Sequence, residues 1–220
     1  MAEVDAYFPT VRSRLTREGE RELEALLDEI TATTWRTQRL DDARWAGPLT
    51  VLLAELGGRT VEEIGGRVVE GLGGNPTLPS GRPAWSPDGT TNYVLAIAKG
   101  IAVGNLLDVR RLVNGATGPR FEAALRTGAG RLARTPEQMV DTSANFAAND
   151  AAERVGATEK RWQTNSGRAR DSHSSLSGQV VPVGQHFSNG MPYPKSGGPP
   201  AEVANCKCSM VLIREGVDVG

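Results

Sequence analysis

The chain has 220 residues, enough for one large domain or two small ones around a conventional core. Its 25 Lys plus Arg nearly balance 26 Asp plus Glu, which excludes a global positive surplus as the means of holding nucleic acid and leaves only local contacts. Two cysteines, one residue apart, exclude a disulfide-built scaffold and read as reduced thiols of an intracellular protein, and the start Met1-Ala2-Glu3-Val4-Asp5 lacks the pattern of a secretory signal.

Leu23, Leu26, Leu27 and Ile30 recur at helical spacing in a charged stretch beginning near Thr10, which predicts a first helix. Leu49, Leu52, Leu53 and Leu56 after Pro48 predict a second, ended by Gly57-Gly58. Thr60 and Glu63 then have the spacing of a capping box, opening a third helix with Val61, Ile64, Val68 and Leu72 on one face. Gly73 to Asn92 is dense in Pro and Gly and too long for an ordinary connection, so it is either an ordered excursion or a mobile loop. A long helix is predicted from Tyr93 to Val113. Its most apolar run, Tyr93 to Val103, is broken by Lys99 and too short to span a bilayer, so no membrane partner is expected. Phe121, Ala124, Leu125, Gly128 and Leu132 mark another helix. Thr135-Pro136-Glu137-Gln138 is the clearest start signal, with a capping Thr and with Pro where its missing N–H does no harm; that helix should stop at Gly156.

From about Thr158 the composition shifts to turn formers, short apolar pieces and every His and Cys of the chain. The expected fold class is therefore α+β, with a helical region over 1–157 and a small mixed α+β domain over 158–220. Within that domain Lys160, Arg161, Arg168 and Arg170 make a locally positive segment. These side chains suit phosphate contacts, and they equally suit a solvated helix face with local salt bridges. If Asn165 or Ser166 caps a helix ending at Gly178, then Ala169, His173 and Leu176 share a face and His173 points inward. Only Asp171 and Glu159 lie near it in sequence as acid–base partners, which favours a hydrogen-bonded structural histidine.

His173, His186, Cys206 and Cys208 could together ligate zinc, since cysteines at i and i+2 of a strand project to one face. The spacing is not a common finger pattern. The preferred reading is a core strand from Cys206 to Ile213 with Cys206, Cys208, Met210 and Leu212 inward and Lys207 and Ser209 outward. No cofactor is required on that reading, and zinc on His173, Cys206 and Cys208 is the alternative. Val180 to Val183 reads as a strand placed at an edge by Pro182, Phe187 as the anchor of the next segment, and Met191 to Pro200 as an irregular surface loop.

An ordered series of motifs runs through this region: Arg134-Thr135, Lys160-x-Trp162-x-Thr164, Arg170-x-x-His173, Gly178-Gln179, Phe187 and Asn205-Cys206-x-Cys208. Over roughly residues 120 to 213 the chain resembles the phage head-morphogenesis or minor capsid proteins typified by protein F of phage Mu. His186 falls outside the motif. The resemblance implies a non-enzymatic virion protein near the portal vertex, inside the capsid, acting in head assembly, DNA packaging or ejection. Its implied partners are the portal protein, the major capsid or scaffold protein and phage DNA. Trp162, Arg170, His173, Phe187, Asn205, Cys206 and Cys208 would be the structural motif residues. The alternative is a small nuclease or toxin-like domain using Arg168, Arg170 and His173.

Overall fold

The computed structural model describes residues 1–73, 90–165, 169–197, 203 and 206–215. The fold is α+β. Its elements are β1 (Ala2–Asp5), α1 (Pro9–Thr37), α2 (Asp42–Gly71), α3 (Thr91–Val113), α4 (Pro119–Leu132), α5 (Thr135–Arg154), β2 (Glu159–Gln163), α6 (Asp171–Ser174), β3 (Val180–Pro182) and β4 (Ser209–Arg214). Most of the Gly73 to Asn92 stretch and Asn205 and Arg168 lie outside the described residues.

The chain divides into two compact units, and not at residue 157. A helical unit holds Ser13–Gly58 and Thr90–Val140, and a sheet unit holds Met1–Arg12, Arg59–Gly89 and Asp141–Gly220. The boundaries fall inside α1, α2 and α5. The sheet unit recruits the N-terminus because β1, which the sequence pattern does not announce, hydrogen-bonds to the last strand.

In the helical unit, α3 is long and apolar enough in length and composition to cross a bilayer. Its residues Val94, Ala98, Ile101, Ala102, Leu106, Val109 and Val113 are nonetheless buried at helical spacing. Gly128 of α4 faces Val109: a Cβ there would meet Val109 Cγ1 at 2.6 Å, so the missing side chain sets how closely α3 and α4 approach. Asn114 ties the end of α3 to the α1–α2 connection, accepting from Leu40 N at 2.7 Å and donating to Leu40 O at 3.2 Å.

The two predicted helices on either side of Gly57-Gly58 are one, α2, and Pro48 lies inside it. Each glycine costs a helix roughly 1 kcal/mol relative to alanine. The buried apolar residues Leu49, Leu53, Leu56, Val61, Ile64 and Val68 continue across the pair and outweigh that cost. Glu63 pairs with Arg67 one turn on, at 3.2 Å.

The sheet has the order β1-β4-β2-β3, antiparallel throughout. β3 with Pro182 is an edge strand, as the proline requires. β4 is central and buried over Ser209–Ile213, so both faces are covered and Ser209 is inside. The expected strand from Cys206 instead starts at Ser209, and Cys206 to Cys208 precede it outside regular secondary structure.

Candidate metal centre and its buried polar frame

α5 ends in a Schellman turn that launches β2. Ala157 N donates to Ala152 O at 2.9 Å, Gly156 N to Glu153 O at 3.3 Å, and Gly156 has φ 75°, which a side chain would oppose. In β2 the pleat puts Lys160 and Trp162 inside and leaves Glu159, Arg161 and Gln163 half-exposed. Trp162 is the hub of the site. Phe187 meets it edge-on with ring centroids 5.0 Å apart, and His173 does so at 5.8 Å.

His173 sits on α6, a single turn whose start is held by the Arg170 carbonyl, which accepts from His173 N and Ser174 N. Of the helix expected to follow an Asn165 or Ser166 cap and end at Gly178, the described residues hold this one turn. His173 does point inward, with 2% of its surface exposed. Its Nδ1 lies 3.5 Å from Cys206 Sγ and 3.5 Å from Cys208 Sγ, and the three ligand atoms lie within 4.8 Å of one another. These groups form a cluster that could hold a metal ion. Tetrahedral bonds of zinc length to nitrogen and sulfur would separate those atoms by about 3.6 Å, which the observed spacing matches. His186 is exposed and outside the cluster.

The thiols are poised to ionise unequally. Cys208 hydrogen-bonds to Cys206, which outweighs burial and, with the Cys208 N–H at 3.4 Å and the nearby His173 and Lys195, lowers the Cys206 thiol to about 6. The same hydrogen bond, burial and the Cys206 charge push Cys208 up. The buried Trp162 Nε1–H has no hydrogen-bond partner of ordinary geometry, yet it acts on Cys208 as a donor that lowers its pKa. Donation by an indole to a sulfur stabilises a thiolate.

A polar stripe on α5 frames the cluster. Asp141, Asn145 and Asn149 recur every four residues and therefore share one helix face; all three are buried. Asp141 accepts from Arg12 at 3.3 Å, Lys195 at 3.0 Å and Lys207 at 3.1 Å. Burial alone would raise the Asp141 carboxyl, but the charges of Lys195, Arg12 and Lys207 together hold it below its ordinary range. Asn145 accepts from Arg12 at 3.1 Å and donates to the Cys208 carbonyl at 3.2 Å, fixing the backbone between the thiols and β4. Three cations around one carboxylate leave a local positive surplus beside the thiols, which favours their anionic form.

Sequence reasoning missed Arg12, Asp141, Asn145, Asn149 and Lys195. The i, i+4, i+8 spacing of Asp141, Asn145 and Asn149 among alanines was the available signal. Lys195 lay in a segment expected to be a surface loop. Its described part is irregular, but Met191, Tyr193 and Lys195 are buried, because Tyr193 packs on Phe146 with ring centroids 6.2 Å apart and Lys195 is tied to Asp141.

The phosphate-contact residues need one correction. Lys160 is fully buried, directed at Asn149 Oδ1 at 2.8 Å, and cannot reach a phosphate, because it shares the inward face of β2 with Trp162. Arg161 faces outward and pairs with Glu3 at 3.4 Å, and Arg170 is half-exposed. Comparison with protein-family models, with curated proteins and with solved structures found no match.

Proposed function

We propose that this chain is a minor capsid or head-morphogenesis protein of a tailed phage, with a structural, non-enzymatic role at or near the portal. In that role it would serve head assembly, DNA packaging or ejection, in contact with the portal and the major capsid or scaffold protein. The observation that carries the reading is the convergence of Trp162, His173, Phe187, Cys206 and Cys208. Motif residues spread over more than forty positions meet in one buried cluster, as residues that specify an architecture should. The nuclease alternative draws no support from this geometry: His173 is enclosed by an indole and two thiols instead of facing a cleft that could admit a phosphodiester.

The cluster's occupant in this reading is one zinc ion held by His173 Nδ1 and the two thiolates. Among the described residues no fourth His, Cys, Asp or Glu joins them, so water or another group would complete the shell. Zinc measured in the purified chain should approach one per molecule and fall in Cys208→Ser. Absence of zinc after purification with zinc present would remove the ion and leave an apolar thiol core.

The assembly role is tested by producing the chain together with the portal, scaffold and capsid proteins encoded beside it. Recovery with sedimenting heads in few copies is expected. A chain left wholly in the soluble fraction while heads form without it would overturn the proposal, as would a locus with no such genes.

A further inference from the structure

Lys160 is a lysine with no exposed surface, and its surroundings are specific. It is fully buried on β2, and its Nζ lies 2.8 Å from Asn149 Oδ1 on α5 and 5.6 Å from the centre of the Phe187 ring. Asn149 is itself buried, and on its other side its Nδ2 donates to Glu153 Oε1 at 2.7 Å. The two partners leave the amide only one orientation, because an ammonium can only donate and so faces the oxygen, while a carboxylate can only accept and so faces the NH2. An amine thus stands against the carbonyl end of an amide whose leaving nitrogen already touches a proton carrier.

We propose that Lys160 and Asn149 become joined by an intramolecular isopeptide bond, formed by the folded chain itself with Glu153 carrying the proton. The Lys160 ammonium first gives a proton to the Glu153 carboxylate, which releases it to the solvent it faces, and so becomes the neutral amine. Its lone pair forms the Nζ–Cγ bond, and the carbonyl electron pair moves to Oδ1. When that pair returns, the Cγ–Nδ2 bond breaks. Glu153 takes a proton from Nζ and delivers it to Nδ2, which leaves as ammonia. One amine and one primary amide give one secondary amide and one ammonia, with no oxidant, reductant or cofactor.

Three features favour the reaction. Burial lowers the Lys160 amine to about 8, against the opposing pull of Glu153, so about one tenth of the population is neutral and nucleophilic at pH 7. The fold holds nucleophile and amide in contact, which replaces the collision of a bimolecular aminolysis. Phe187 and the covered face of the sheet exclude the water that would otherwise compete. Glu153 itself lies at the solvent-facing end of α5, one turn from Asn149, which gives the released ammonia an exit.

The test is tryptic mass mapping of the full chain, fresh and after prolonged incubation in the folded state. The expected product is a branched peptide joining residues 135–154 to 155–161, lighter than the two parts by one ammonia, with Lys160 resistant to trypsin. Glu153→Gln should fold, by circular dichroism, and leave both peptides separate; Lys160→Arg should do the same. Free 135–154 and 155–160 peptides from the incubated native chain overturn the proposal. So does loss of ammonia with Lys160 still cleaved, which would be a succinimide at Asn149, or an unchanged yield of the branched peptide in Glu153→Gln.

Discussion

Arg12 and Asp141, 129 residues apart in the chain, meet at 3.3 Å with both side chains buried. Asp141 also answers Lys195 and Lys207, so its removal strands several cations at once. Asp141→Asn should cost about 3–5 kcal/mol in urea unfolding, the usual loss when one partner of a buried ion pair is deleted. The pH dependence has a fixed sign. The folded carboxyl is held below its unfolded value of about 4, so its stabilisation is complete above that pH and fades as pH falls through the folded value. Native protein should lose stability in that acid range, and Asp141→Asn should lose correspondingly less. Parallel acid titrations of the two would contradict the pairing.

The edge-on contact of Trp162 and Phe187 allows a double-mutant cycle. Each single change to alanine should destabilise by about 3–5 kcal/mol because both rings are buried. The coupling between them should be about 0.5–1.5 kcal/mol, the range for aromatic pairs in this geometry. Strict additivity would mean that the two rings pack independently.

Zinc binding at His173, Cys206 and Cys208 should appear as ligand-linked stability. At free zinc a hundredfold above Kd the gain is about 2.7 kcal/mol, which for a chain of this size raises Tm by about 5–10 °C. A strong chelator should reverse the rise, and His173→Ala should abolish it. An equal rise in native protein and in Cys206→Ser/Cys208→Ser would place the zinc elsewhere.

Two glycines of α2 should respond in opposite ways to alanine. A Cβ at Gly71 would meet Val4 Cγ2 at 2.6 Å, and a β-branched side chain has little freedom to move aside. Gly71→Ala should therefore lose about 1–3 kcal/mol through overpacking, more than the propensity gain returns. Gly66 has open space around its missing Cβ, so Gly66→Ala should gain about 0.5–1 kcal/mol. Thermal unfolding of the pair provides the comparison.

Much of the fold was legible in the sequence, and what was not has identifiable causes. Helices α3 and α4 followed from apolar periodicity and the edge strand from Pro182, because those signals are local. Gly57-Gly58 misled because local propensity predicted a stop where burial on either side carried the helix through. β1 was invisible because four residues gain strand character only from pairing with β4, far away in the chain. Within the site, His173, Cys206 and Cys208 could be named, since few residue types bind metals. The charges that surround them could not, because Arg12 and Lys195 look like any surface cations until Asp141 is found between them.

The register that pairs Ala2 with Arg214 and Asp5 with Val211 has a consequence for the order of folding. Among the described elements a ribosome releases β1 first and β4 last, so an inner strand of the sheet arrives after the others have been made. The α3–α4 pair and the β2–β3 pair can form from neighbouring contacts while synthesis continues, but joining β1 to β4 must wait to close a loop spanning nearly all of these residues. Pairings of such separation are slow. Until β4 docks, the partner faces of β1 and β2 stay open, and the nascent chain passes through a stage in which unpaired strand edges are its principal hazard.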